Sequence, residues 1–552
     1  MRFRTLAVLL AFSAAAYSQN SQDPVTVQQE TAITAERRGP RPDASNPSVA
    51  PEQLKRGRQM LEFAEAQASG LEGGMRAYAL REVARAYQPT NKKKALQLME
   101  DALAATRAMD DDSLHTKSKL EEQILQALVP LAPQRVDELL DQVAPESRGA
   151  VLRSLLQYYQ KNKDLDHALQ VLYRAGAEKE MPYDAAASIM SALPPERSAD
   201  LVNTFNVALV SYRNNQHTGA MMGGGDFADL ITGFWRKVPK GTVLEAIAEV
   251  LKQAKAQVER SSGLRISMAS SKGAVAFNSY YEFRLFQLLP VLRELDESGA
   301  KKMVEDYQQV RTLLAKYPQG TSSLNPTDGP NESQFGTMSV TDGRAPQGGG
   351  NRGPRIPSAI EMQQMSKIVS DAAAHPQDAL ASVPLIARPE LRAQAYQIIA
   401  RNIWKKNASV AHQALEKLLD LVPQLDLDQQ LRTLASAADT YVSMDDSEAA
   451  KKTVEKGLKA ADKAYERDSN ADDPNKALKA YWPSTAAYRS FLRPAARISP
   501  AWATKLANEI SDPEMKVVLQ ITLAEAWLDI PAGFTTIMTS TKKGNRMMMD
   551  MN

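Results

Sequence analysis

The sequence contains no cysteine. That excludes disulfides, thiolate nucleophiles, zinc–thiolate sites and lipid attachment through a cysteine sulfur, and it leaves stability to packing alone. An excess of charge of one sign is also missing. The formal net charge is +2, and Arg2 and Arg4 fall in a leader without acids, so the rest of the chain is close to neutral. A neutral chain exerts no long-range attraction on nucleic acid or anionic lipid. The short basic runs Lys92-Lys93-Lys94 and Lys542-Lys543 read as solvated surface.

Long hydrophobic runs are absent too. The apolar stretch Leu6 to Ala16 is 11 residues long, against the roughly 20 that a helix needs to cross a bilayer, so no membrane span is expected. Two arginines precede this stretch and small residues follow it, which predicts an export signal over residues 1–18 with Ala16 and Ser18 at the cleavage site. The expected location is the periplasm or the extracellular space.

Patterns that carry chemistry are equally scarce. The five histidines, His115, His167, His217, His375 and His412, stand more than four residues apart, and no H-E-x-x-H occurs. Asp468-Ser469-Asn470-Ala471-Asp472 starts like a calcium loop, but Asp473 stands where the turn needs glycine and Lys479 where a bidentate glutamate belongs. Gly223-Gly224-Gly225 is not followed by Gly-Lys-Ser/Thr, and there is no G-x-S-x-G. The expectation is no catalytic residue, no metal and no cofactor.

What is present is helix-forming sequence. A chain of 552 residues with 43% hydrophobic and 24% charged residues is that of an ordered protein. Ala, Leu, Glu, Gln, Lys and Arg dominate, and apolar residues recur at three and four positions, as in Leu152, Leu155, Leu156 and Tyr159. The predicted fold is all-α, with antiparallel helix pairs stacked as a helical-repeat solenoid in two halves. Composition sets the boundaries: a polar, Pro-rich segment at 19–50, a helical-repeat domain at 51–317, a Gly/Pro/Ser/Asn-rich linker or insertion at 318–357, a second helical-repeat domain at 358–538 and a Lys/Met-rich tail at 539–552. The first, third and last of these are expected to be unstructured.

A repeated device punctuates the helices. Pro133, Pro376 and Pro500 each open a short helix, and Pro145-Glu146, Pro389-Glu390 and Pro513-Glu514 open a longer one 12, 13 and 13 residues later. Proline suits the first helical position because its missing N–H has no partner there, and the glutamate sits in the positive end of the helix dipole. Asp512 is placed to cap the last of these helices. A basic residue follows each glutamate two positions on, as Arg148, Arg392 and Lys516, on a different helix face, so an ion pair within the helix does not explain it.

Two helix pairs carry the offsets 4, 3, 9, 4 and 3 in Leu152, Leu156, Tyr159, Ala168, Leu172 and Ala175, and in Leu434, Ala438, Tyr441, Ala450, Val454 and Gly457. A third pair, around Tyr87 and Ala95, is one residue shorter. The spacing resembles the tetratricopeptide repeat, with Leu156 in place of a small residue and Gly457 in place of alanine. That resemblance implies a concave surface that binds a protein or peptide. A binding scaffold without catalytic activity is therefore expected, and an all-helical hydrolase or lyase of an envelope polymer is the competing expectation. The candidate binding residues are Tyr481 and Trp482, at a helix break where Trp482 is expected as an exposed anchor, and Met221 and Met222 beside the glycine run.

Overall fold

The computed structural model describes residues 51–109, 114–178, 181–214, 226–260, 264–270, 273–324, 337–342, 359–470, 478–531, 535–539 and 547–551. The chain begins with α1 (Pro51–Ser69), α2 (Gly73–Tyr87), α3 (Lys92–Arg107), α4 (Leu114–Leu128), α5 (Pro133–Leu139), α6 (Pro145–Lys161) and α7 (Leu165–Ala177). It continues with α8 (Tyr183–Ala192), α9 (Ser198–Asn214), α10 (Phe227–Phe234), α11 (Lys240–Arg260), strands β1 (Leu264–Ser270) and β2 (Gly273–Phe277), α12 (Tyr280–Leu295), α13 (Glu297–Val304), α14 (Gln308–Lys316) and β3 (Thr337–Asp342). The last stretch holds α15 (Ala359–Asp371), α16 (Pro376–Ser382), α17 (Pro389–Ile403), α18 (Ala408–Leu421), α19 (Leu427–Ser443), α20 (Ser447–Asn470), α21 (Pro483–Ile498), α22 (Pro500–Glu509), α23 (Pro513–Trp527), β4 (Thr535–Thr539) and β5 (Met547–Met551). Among the described residues, no helix is long and apolar enough to cross a membrane.

The all-α expectation holds, with successive helices packed as neighbours: α2 on α3, α6 on α7, α17 on α18 and α19 on α20. The compact units divide the chain after Glu180 as well as within 318–357. Residues between Met181 and Gly349 form one unit, and the second unit joins Arg41–Glu180 to Gly350–Asn552. In that second unit α1 packs along α23, and α2 also meets α23. Composition located a break in helical sequence, but which helices cover each other's apolar faces depends on long-range packing that a local window does not contain.

Strands interrupt the helices in the unit spanning Met181–Gly349. β1 pairs antiparallel with β2, Ser270 facing Gly273, and with β3, Leu264 facing Asp342, so a strand lies within the 318–357 stretch expected to be unstructured. The alternation of Val275 and Phe277 puts both on the core side, where the Phe277 ring lies 5.6 Å from Phe283 and 5.2 Å from Phe286. The stretch at 535–551, which includes most of the tail expected to lack structure, contains the antiparallel pair β4 and β5. The export signal and the 19–50 segment lie outside the described residues.

The proline device is realised as helix starts. Pro133, Pro145, Pro376, Pro389, Pro500 and Pro513 all stand at a helix N-terminus. Asp512 caps α23 by accepting from the N–H groups of Glu514 and Met515 at 3.0 and 3.2 Å. The basic residue reaches backwards to the preceding helix. Arg148 donates to the Val143 carbonyl at 3.1 Å, and Lys516 donates to Asn508 O at 3.3 Å, so each satisfies a carbonyl that the helix end leaves open. Arg392 departs from this, with its Nε buried and unpartnered.

The spacing that suggested repeats is packed as core, since all twelve of its residues in the two full-length pairs are buried. Gly457 is glycine because a Cβ there would stand 2.1 Å from a ring carbon of Phe491 on α21. The pair around Tyr87 is one residue shorter because its turn is. The Asn91 N–H bonds directly to Tyr87 O at 2.7 Å and Asn91 caps α3, whereas the Tyr159 and Tyr441 turns each insert a residue of positive φ, Lys163 at 58° and Asp445 at 62°.

Candidate binding groove and the buried arginine clasp

Helices α17, α19 and α21 are the first members of three successive pairs, and they lie side by side. Their common face bounds a groove of about 470 Å³ lined by Glu390, Gln394, Gln397 and Arg401 of α17, Asp428, Gln429, Arg432 and Ser436 of α19, and Pro483, Ala486, Ala487 and Ser490 of α21. The groove mixes polar side chains with apolar ones such as Ala393, Leu425 and Leu431, and its charges are unequally engaged. Glu390 pairs with Arg388 at 3.4 Å and Asp428 with Arg467 at 2.9 Å, while Arg401 and Arg432 have no ion-pair partner among the described residues. Gln397 donates to Ser436 Oγ at 2.5 Å, and Gln429 Oε1 is buried without a hydrogen-bond donor. Two free guanidiniums beside spare amides make a surface suited to carboxylates and backbone amide groups.

Helix α21 also carries a second, sealed constellation. Arg489 donates to Glu82 at 3.1 Å and to the Tyr78 hydroxyl, and Arg493 donates to Glu525 at 2.8 Å. Arg85 bridges Glu82 at 3.1 Å to Glu525, and Arg81 pairs with Glu82 and reaches Gln123. Glu82 is 3% exposed and Glu525 0%. Burial alone would raise the Glu82 carboxyl, but the Arg85, Arg81 and Arg489 guanidiniums outweigh it and hold Glu82 well below the usual carboxylate range. Burial pushes Glu525 upward, and Arg85 and Arg489 offset only part of that. With their oxygens occupied by arginine and no exposure, these carboxylates cannot meet a substrate, so the cluster joins helices from the two ends of the sequence.

The sequence candidates fall partly into this clasp. Tyr481 donates to Gln123 Oε1 at 2.7 Å, and its ring packs edge-on against Tyr78 at 5.7 Å. Trp482 is 8% exposed and packs beside Tyr465 with centroids 5.7 Å apart, so it is not an exposed anchor. The helix break was read correctly, but α2 and α4 arrive over Tyr481 from the far end of the chain. Met221 and Met222 lie outside the described residues. Neither the groove nor the clasp was singled out from sequence, although Glu525 inside the apolar run of α23 is a signal for a buried partner. Histidine serves packing: His167 stacks on Tyr159 at 5.0 Å and bonds Asp164, and His412 lies against Tyr441 at 5.7 Å. Asp468 caps α21 by accepting the Ser484 N–H at 2.9 Å.

The unit spanning Met181–Gly349 has its own buried arginine. Arg284 on α12 pairs with Asp226, with the Tyr280 hydroxyl and with Gln287 at 2.6 Å, and Gln287 donates to Asp229 at 2.8 Å. Burial, reinforced by the Asp226 charge, pushes the Asp229 carboxyl up to about 6. Asp226 is engaged by Arg284 and by the Ala228 N–H that it caps at 3.1 Å.

No protein-family model matches the chain, and no curated protein does.

Proposed function

We propose that this protein is an exported, tetratricopeptide-like helical-repeat scaffold that binds an extended peptide or protein segment bearing carboxylates along the α17–α19–α21 groove. The observation that carries the reading is the pair of arginines without ion-pair partners among the described residues, Arg401 and Arg432, on a face built from the first helices of three successive pairs. Unpaired guanidiniums can be recruited without first breaking an internal ion pair, which leaves only their ordering and desolvation to offset the gain. Against the hydrolase reading, the carboxylates lining the groove are each held by an arginine, and Glu82 and Glu525 are buried among arginines.

The test is a pull-down from envelope extract with the wild-type protein and with the Arg401→Glu/Arg432→Glu variant, followed by calorimetry on any acidic segment recovered. The expected result is a partner retained by the wild type and lost by the double variant, whose folding is checked by circular dichroism because Arg401 is exposed but Arg432 is half-buried. Binding should weaken as salt rises. Equal retention by both proteins would sink the reading.

A further inference from the structure

We infer that α1 is the second helix of the repeat that α23 opens, donated from the opposite end of the chain, and that this joint is a separable strap closing the helical array. Three independent features carry the inference. The first is the turn after α23. Asp529 has φ of 55°, and the Ile530 N–H bonds to Glu525 O at 2.9 Å. The same return follows α6, where the Asp164 N–H bonds to Tyr159 O at 2.9 Å, and follows α19, where the Asp446 N–H bonds to Tyr441 O at 3.0 Å. In those two places the chain then enters the second helix of a pair. After α23 it does not: Ile530 O and Pro531 O are instead held by Arg493 and Arg85 at 3.1 and 3.0 Å.

The second feature is the stripe on α1. Gly57, Leu61, Ala64 and Ala68 are all buried, at offsets of four, three and four. The second helices α3 and α20 bury Ala95, Met99, Ala102 and Thr106, and Ala450, Val454, Gly457 and Ala461, at the same offsets. The third feature is the fit. A Cβ on Gly57 would stand 2.8 Å from Leu528 Cγ and 3.3 Å from the Leu528 backbone nitrogen, at the residue just before the positive-φ turn. Glu65 of α1 also accepts from Tyr87 at 3.0 Å and pairs with Lys94 of α3 at 2.6 Å, so α1 sits beside the second helix of the adjoining pair. The array therefore runs through α21 and α23 into α2 and α4, with α1 and α23, far apart in sequence, meeting inside it.

A helix held by shape and not by continuity with its partner can be cut free and replaced. The experiment places a site-specific protease sequence in the turn between α1 and α2, around Leu71, and cleaves the folded full-length protein. The α1 fragment is expected to stay with the remainder through gel filtration. After unfolding and dilution into excess labelled peptide of residues 51–69, the peptide should take its place, and the Gly57→Leu peptide should compete at least about tenfold less well because its side chain meets Leu528. Loss of the fragment on cleavage, failure of the peptide to enter, or equal competition by the Gly57→Leu peptide would each overturn the assignment.

Discussion

The two units each bury arginine on a helix with an interior proline, Arg489 on α21 with Pro494 and Arg284 on α12 with Pro290, yet the surplus charge has opposite sign. Around Arg489 four guanidiniums, those of Arg81, Arg85, Arg489 and Arg493, surround two carboxylates. Around Arg284 one guanidinium serves two, Asp226 and Asp229. The consequence is seen in the carboxyls. Glu82, outnumbered by cations, is held well below its ordinary range, whereas burial and the Asp226 charge raise Asp229 to about 6. Burial opposes ionisation at all of these carboxyls, and the guanidiniums outweigh it at Glu82 but not at Glu525 or, with a single guanidinium, at Asp229. The separation along the chain differs as well: Arg489 and Glu82 are 407 residues apart, Arg284 and Asp226 only 58. One cluster joins α2 to α21 and α23, and the other stabilises a local group of helices.

The largest expected effect comes from removing a carboxylate where cations are in surplus. Glu525→Ala leaves Arg85, Arg489 and Arg493 facing one another in a buried site and should cost about 3–5 kcal/mol in denaturant unfolding. A loss below about 1 kcal/mol would mean that the clasp is not a buried charge network in solution.

A smaller effect separates charge from packing in holding α21. Gly457→Ala forces a methyl against the Phe491 ring and should cost about 1–3 kcal/mol, with the clasp intact. If it costs as much as Glu525→Ala, close packing rather than the arginines holds that helix.

The smallest effect is a pH dependence whose sign differs between Asp229 and Glu82. Asp229 has a raised folded pKa, so its contribution to stability is complete below its ordinary value of 3.8 and is lost as pH rises through about 6. Asp229→Asn should therefore melt higher than the wild type at about pH 8 and match it near pH 4. Glu82 works in the other direction: its contribution is present above its ordinary value of 4.5 and disappears on acidification. A melting difference at Asp229 that grows toward acid would invert the comparison.

Much of the fold was legible because helix formation is local. Pro-Glu starts, the Asp512 cap and the small-residue stripes were read from a few neighbouring positions, and each became a helix end or a packed face. The strands were missed because β1 and β2 are only 7 and 5 residues long inside a helix-rich chain, too short for period-two alternation to stand out. Trp482 was misplaced for a different reason, since its exposure depends on which helices arrive over the break at Tyr481.

By itself, then, the sequence determined the helical class, the helix starts, the places where small residues let helices approach, and the absence of cysteine chemistry, since all of these follow from residue type and spacing. Tertiary structure decided that α1 lies on α23, that Glu525 meets Arg85 and Arg493, and that Arg401 and Arg432 remain without ion-pair partners among the described residues. The physical reason is that pairing and burial are properties of the assembled neighbours. A guanidinium's role is set by what stands within a few ångströms of it, and most of those neighbours are hundreds of residues away along the chain.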